Sequence, residues 1–560
     1  MSLGASIAPS RRSSLAWRPS TRFAYATLAG AALAGLPLAA LVLTALSSQG
    51  QGLWPHLIAN VLPVATANTA LLLLGIAVLC SVLGIGTAWL VTQYAFPGQR
   101  AFAWLLALPL ALPTYITAYV YVDVLSFQGP LQAGLRALTG WRSLRDYWFP
   151  DPRNLPGAIF IMSAVLYPYV YLSARALFGV QSAAIIESAR TLGASQGRLF
   201  WRIALPMARP ALAAGLTLVL LEALNDVGAT EFLGVSTLTL SIYTTWVNRG
   251  SLAGAAQIAC VMLVIVFALI LAERWLRGAR RFALPVRQPR AVRRTPLTGG
   301  RAFAASLACA LPVFFGAVVP MGYLVVEVAQ RGLLANADAT LLGGLVTAVL
   351  LALLASGLVV ALGIAIAVAV RQGREPWVKP LARIASLGYA VPGTVLALGL
   401  LVPLAALDNR IADASTALFG VNPGLLFIGS GAALVVAYVV RFLAIAVGGV
   451  ESGLSRISPR VDEAARTLGA RAPEVLRRVN WPLMRPATAA AALLVFVDCL
   501  KELPATLLLR PLNLETLSTI VYGHASRGVF EDGALAALLI VLAGLPAAVL
   551  LAKAGPERSG

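Results

Sequence analysis

Twelve runs of mostly apolar residues take up most of this chain. They fall near 23–47, 64–92, 101–126, 156–180, 209–234 and 252–276, then near 302–328, 341–370, 380–405, 424–447, 486–510 and 534–552. About 20 apolar residues in a helix cross the hydrocarbon of a bilayer. In lipid such a segment must satisfy its own backbone hydrogen bonds, which a helix does. The runs therefore read as transmembrane helices. With 59% hydrophobic and 12% charged residues over 560 positions, and a mean hydropathy of +0.82, no soluble globular class fits.

One polar stretch interrupts the pattern twice. Glu187 to Ala211 reads ESARTLGASQGRLFWRIALPMARPA, and Glu463 to Ala487 reads EAARTLGARAPEVLRRVNWPLMRPA. At a single offset of 276 and without a gap, Glu187 falls on Glu463, Ala189 on Ala465, Gly193 on Gly469 and Pro206 on Pro482. About half of the aligned positions are identical, which makes internal duplication the economical explanation. Each copy predicts a short helix, a break at the glycine and a second helix that stops at the proline. Such a helix-turn-helix lies outside the bilayer.

The parallel runs beyond the loops. LGIGTAW from Leu83 echoes LGIAIAV from Leu362, and Pro113 echoes Pro392. Asn225 to Thr230 aligns with Lys501 to Thr506. Residues 1–276 and 302–560 read as two six-span repeats, and 277–301, with eight arginines, three prolines and no acid, as a basic cytoplasmic linker. An even number of spans per repeat puts both loops on one face, so the repeats are parallel, not inverted.

The formal charge of +20 raises a nucleic-acid reading. If the arginine-bearing start (Arg11, Arg12, Arg18, Arg22) is cytoplasmic, most of the 43 Lys and Arg fall on that side, as the positive-inside rule requires. The excess is topology, and no nucleic-acid partner is expected. Both termini are then expected on the cytoplasmic side, and the first span reads as an uncleaved anchor. The outer loop 127–155 departs from the rule with Arg136, Arg142, Arg145 and Arg153. Cys80, Cys260, Cys309 and Cys499 lie in apolar runs and read as small buried hydrophobes. His56 and His524 fall on predicted outer loops. Neither a catalytic constellation nor a metal-ligand cluster stands out, so no enzyme activity is expected of this chain.

Ionisable groups at membrane depth are costly to expose, about 2.5 to 3.5 kcal/mol each, and so must face water, protein or one another. Glu222, Asp226 and Glu231 in the fifth span, and Asp498, Lys501 and Glu502 in the eleventh, are such groups. The i, i+4 steps Glu222–Asp226 and Asp498–Glu502 predict one polar face per helix, lining a passage or its gate. Pairing through Lys501 with no substrate contact is the structural alternative.

The duplicated stretch resembles the EAA loop of ABC importer permeases, with Trp481 replacing the usual leucine before Pro482. The resemblance implies an all-α integral membrane fold of the type I ABC importer permease kind, with about twelve transmembrane helices in two parallel six-helix repeats. It further implies that Glu187, Ala189, Gly193 and Pro206, with Glu463, Ala465, Gly469 and Pro482, couple the chain to two copies of a P-loop ATPase on the cytoplasmic side. No GxxxxGK[ST] is present, so ATP and magnesium are expected on that partner and no cofactor on this chain. ALNDVGATEFLG, KELPATLLLRP and LALPLALPTYITAYVY resemble the fused permeases of ferric-iron importers. That likeness implies an external substrate-binding protein and a place in the bacterial inner membrane. Related machinery for thiamine, phosphonate or polyamine is the nearest alternative; a proton-coupled secondary transporter using the buried acids is the rival from another class.

Overall fold

The computed structural model describes residues 21–47, 52–143, 145–180, 189, 191–277, 294–335, 337–372, 375–470 and 474–553. Among them, eleven helices are long and apolar enough to cross a bilayer. They are Phe23–Ala45, Trp54–Gln93, Leu155–Gly179, Gln196–Asn225, Leu252–Leu276, Gly299–Gln330, Ala339–Arg371, Gly393–Phe419, Ala432–Ser455, Val475–Lys501 and Phe530–Leu551. A twelfth crossing is the bent pair Gln99–Ala111 and Thr114–Val124, turned by 91° at its break. Counted in chain order, with the bent pair third, these are spans one to twelve of an all-α integral membrane fold. The one strand pairing among the described residues joins Tyr94–Ala95 to Thr295–Pro296. Residues 278–293 of the basic segment lie outside the described residues, while Arg277 still belongs to the sixth helix and Gly299 opens the seventh.

Several expected helices are broken, and at matching places in the two halves. Leu112 (φ −96°, ψ 125°) and Val391 (φ −80°, ψ 123°) each precede a proline and are extended. The proline ring pushes the preceding residue out of the helical region. The ninth span therefore starts at Gly393, not near 380, and Val378–Ala385 is a separate helix. The fifth and eleventh helices stop at Asn225 and Lys501, and short helices Val227–Phe232 and Pro504–Leu509 follow. The expected continuous helices over 209–234 and 486–510 are thus each two pieces.

Small residues set the packing. An added Cβ at Gly84 would lie 2.9 Å from the Tyr171 nitrogen, and one at Gly363 would lie 3.2 Å from the Val447 nitrogen. Spans two and four, and spans eight and ten, can approach so closely only because glycine stands at both crossings. The first span of each half packs on the other half. Gly399 of the ninth span meets the Pro37 carbonyl of the first, and Gly316 of the seventh meets the Ala164 carbonyl of the fourth. Tyr121 donates to the Phe315 carbonyl at 2.6 Å across the same exchange.

The 127–155 segment is ordered around its own helix, Pro130–Thr139. Arg136 donates to the Phe127 carbonyl at 2.7 Å and sits 4.0 Å over the Phe127 ring, a structural role for one of the four unexplained arginines. The backbone N–H groups of Arg142 and Ser143 hold the exposed Asp146 carboxyl below its usual range. The two histidines sit on helices, not loops: His56 opens the second span and His524 lies on Leu517–Ser526. All four cysteines are free thiols; three are buried and Cys260 is half-buried.

Candidate functional site

Two sets of residues carry the sequence's predictions: the repeated loops, and a polar cavity where the halves meet. Glu187 lies outside the described residues. Ala189 is buried, whereas Glu463 is exposed and Ala465 half-buried. Gly193 and Gly469 adopt φ of 76° and 88°, the left-handed region that glycine enters without a Cβ penalty. The Ala194 N–H donates to the Ala189 carbonyl at 2.9 Å, and the Ala470 N–H to the Ala465 carbonyl at 3.1 Å. That six-to-one bond closes a helix with a glycine one step past its end. Just before each glycine stands an exposed leucine, Leu192 at 87% and Leu468 at 89%.

The expected stop at Pro206 and Pro482 is not a stop. Each helix runs through its proline into the bilayer span after one widened turn, Phe200–Ala204 and Val475–Asn480. A proline lacks an N–H and crowds the carbonyl four residues back. A π turn immediately before it lets the helix continue. The second half of the predicted helix-turn-helix is therefore the base of the fifth and eleventh spans.

The cavity, of about 80 Å³, is lined by Glu222, Asn225 and Asp226 from one half and by Arg441, Asp498, Lys501 and Glu502 from the other. Thr114, Tyr115 and Tyr169 add to its polar wall. Its volume suits several waters, and it is polar enough to hold them. The expected i, i+4 faces do not exist, because Asp226 and Glu502 stand at the helix breaks with extended backbones. Each carboxylate instead caps the short helix that follows. Asp226 accepts from the Ala229 N–H at 2.8 Å and from the Thr114 hydroxyl. Glu502 accepts from the Ala505 and Thr506 N–H groups at 2.9 and 3.0 Å and from the Thr506 hydroxyl at 2.6 Å. These bonds meet backbone donors that a helix start leaves unpaired.

The halves are joined through this cavity. Tyr389 donates to Glu222 at 2.9 Å, and the Asn225 side-chain oxygen accepts from the Gly393 N–H at 2.6 Å and from Arg441 at 3.0 Å. Arg441 also lies 3.6 Å from Glu502. Lys501 pairs with Asp498 at 2.9 Å within its own helix, an i, i+3 bridge and not an interhelical one. Glu231 is elsewhere. It accepts from Tyr522 at 3.0 Å, away from the cavity lining.

Arg441, Asn225, Tyr389 and Thr114 belong to the site without having been singled out by the sequence. Arg441 carried a readable signal, a lone arginine inside the apolar run AYVVRFLAIAV. The others carried none, since single hydroxyls and amides are common in membrane helices. Among the described residues, no three His, Cys, Asp or Glu side chains come together as a metal-binding group.

A family described as "Binding-protein-dependent transport system inner membrane component" matches residues 81–281 and again residues 360–554. The chain is 25% identical over 502 residues to the Fe(3+)-transport system permease protein FbpB 2 of Haemophilus influenzae, covering 86% of this chain and 88% of that one. It is 26% identical over 499 residues to the probable ABC transporter permease protein y4fN of Sinorhizobium fredii, covering 85% and 84%. Against the molybdenum transport system permease protein ModB of Escherichia coli it is 28% identical over 200 residues, 34% of this chain and 83% of that one. The two family matches fall one in each half, each takes in a repeated loop and a helix break, and together they span most of the chain. By that match, this protein is a member of the binding-protein-dependent transport system inner membrane components, a permease with two repeats in one chain.

Proposed function

We propose that the chain forms the transmembrane passage of an ABC importer for ferric iron, powered by two separate ATPase subunits that grip the loops at Gly193 and Gly469. The observation that carries the cargo reading is the charge of the central cavity. Four carboxylates (Glu222, Asp226, Asp498, Glu502) face two cations (Arg441, Lys501). Such a lining favours a cation over an oxyanion such as sulfate or molybdate. The relative named for Fe(3+) transport aligns along 86% of the chain, whereas the molybdenum and sulfate permeases align along about a third.

In this reading the loops are handles. The exposed Leu192 and Leu468 beside the capping glycines supply apolar area for a groove on each ATPase, where burial contributes about 25 cal/mol per Å². Glu187 and Glu463 add rim ion pairs worth under about 1 kcal/mol each. ATP binding draws the two ATPases together, and because the helices that follow the loops, Gln196–Asn225 and Val475–Lys501, end at the cavity wall, the pull reaches Asp226 and Glu502. Only differential affinity for the inward and outward states can drive the shift. Docking of a loaded binding protein outside would favour the outward state.

The test is uptake by cells carrying the chain with its ATPase and binding protein, measured for ferric iron, molybdate and sulfate in parallel. Ferric uptake that depends on the chain supports the proposal; chain-dependent oxyanion uptake without iron uptake overturns it. The purified chain alone should turn over no ATP, and turnover from a clean preparation would contradict the division of labour.

A further inference from the structure

We propose that Tyr243, Tyr522 and Glu231 form an oxygen-donor site for a hard trivalent cation at the end of the passage opposite the repeated loops. This inference rests on the ferric reading above and names where the cargo is first held.

The two tyrosines are counterparts. Helix Leu238–Val247 and helix Leu517–Ser526 start on Thr237 and Thr516, each capping through its own hydroxyl, and Tyr243 and Tyr522 occupy the same position, five residues after the first. Their hydroxyls lie 3.1 Å apart. In a parallel repeat, equivalent atoms can meet only close to the pseudo-twofold axis, which here runs along the direction of transport. The pair therefore stands on the route. Glu231 completes the group, 3.0 Å from the Tyr522 hydroxyl, and all three side chains are half-buried and so reachable.

The spacing suits a metal. A small octahedral cation that holds oxygens at about 2.0–2.1 Å sets neighbouring donors about 2.9 Å apart. The two observed separations are 3.0 and 3.1 Å, so little movement is needed to admit an ion. Phenols become ligands only when they lose their protons, and at neutral pH that takes a strongly polarising cation; the two protons pass to solvent as the two Fe–O bonds form. A phenol pair thus selects for a trivalent ion over magnesium or calcium. Below it, Phe232 packs edge-on against Tyr522 and against Tyr119. Tyr119 and Tyr115 are buried, and among the described residues their hydroxyls have no hydrogen-bond partner. Tyr115 lines the central cavity, so further oxygen donors continue from the tyrosine pair toward Asp226.

The experiment titrates the purified full-length chain in detergent with ferric nitrilotriacetate and records the visible charge-transfer absorption of iron bound to phenolate. The expected result is a saturable band whose affinity falls by at least about 10-fold in Tyr243→Phe and in Tyr522→Phe, since losing even an outer-shell partner of a metal ligand costs that much. The double variant should lose the band, and Tyr147→Phe, on the 127–155 segment, should leave it unchanged. Absence of the band in the unaltered chain, or its persistence in the folded double variant, overturns the site. Ferric uptake is measured on the same cells. If the unaltered chain imports iron but shows no band, this inference alone fails; if it imports no iron, the cargo reading fails with it.

Discussion

The two halves break the same helix at the same place and finish the break with different chemistry. In the second half, Glu502 takes two backbone N–H groups and a hydroxyl and lies beside Arg441, while Asp498 pairs with Lys501. In the first half, Asp226 is held by Thr114 and Ala229, and Glu222 by Tyr389. At the offset of 276, Val165 stands where Arg441 does, and Asn225 where Lys501 does. A repeat conserves its backbone because helix breaks and crossings are geometric; its charges can diverge, because one cation can serve both sides of a shared cavity. Within the cavity lining the second half is close to self-neutral, and the first presents Glu222 and Asp226 with no cation of its own half among the described residues that line it.

Removing the shared cation should have the largest effect. Arg441→Met should destabilise the chain by about 3–5 kcal/mol, because it strands the buried Glu502. The thermal midpoint of the detergent-purified protein reads this, and Arg441→Met with Glu502→Gln should recover most of the loss. A single variant as stable as the parent would mean that the ion pair is not the second half's anchor.

Next comes the pair of caps. Asp226→Ala with Glu502→Ala should lower uptake about 100-fold, equivalent to about 2.7 kcal/mol, while the complex with the ATPase still assembles. Uptake at the parent rate would take both groups off the route. Single substitutions sharpen the contrast: Asp226→Asn should cost more transport than Asp498→Asn, and the reverse order would refute the asymmetry.

At the loops the halves should behave alike. Gly193→Val and Gly469→Val each force a β-branched residue into left-handed backbone, at about 1–3 kcal/mol. Each should lower uptake to a similar degree, and the double variant should uncouple uptake from ATPase assembly. Normal uptake in the double variant would count strongly against the coupling role. The smallest effect is expected of Tyr389→Phe, which removes one hydrogen bond to Glu222 and should cost about 0.5–1.5 kcal/mol, visible as a small fall in thermal midpoint.

Much of this architecture was written in local sequence. The spans and the glycine break of each loop follow from residues within a few positions of one another, and the expected ionisable groups do gather: four of the five acids, with Lys501, line one cavity. What the apolar runs do not encode is whether the helix inside them is continuous. Pro113 and Pro392 echo each other in sequence and break the helix in the structure. Asp226 and Glu502 fit a helix face by spacing and instead end the helix. Pro206 and Pro482 look like helix stops, and the helices pass through them. In each case hydropathy reports burial in lipid and is silent about whether the backbone inside the run is helical.

About twelve crossings in two parallel repeats are legible in the sequence, because apolar length is a property of neighbouring residues and repetition shows when the chain is compared with itself. The docking of the two halves sets the rest: each half lends its first span to the other, Arg441 faces Glu502 and Asn225 together, and Tyr243 meets Tyr522. Those contacts join residues tens to hundreds of positions apart, and their partners are chosen by how two repeats dock, a choice that no local pattern encodes.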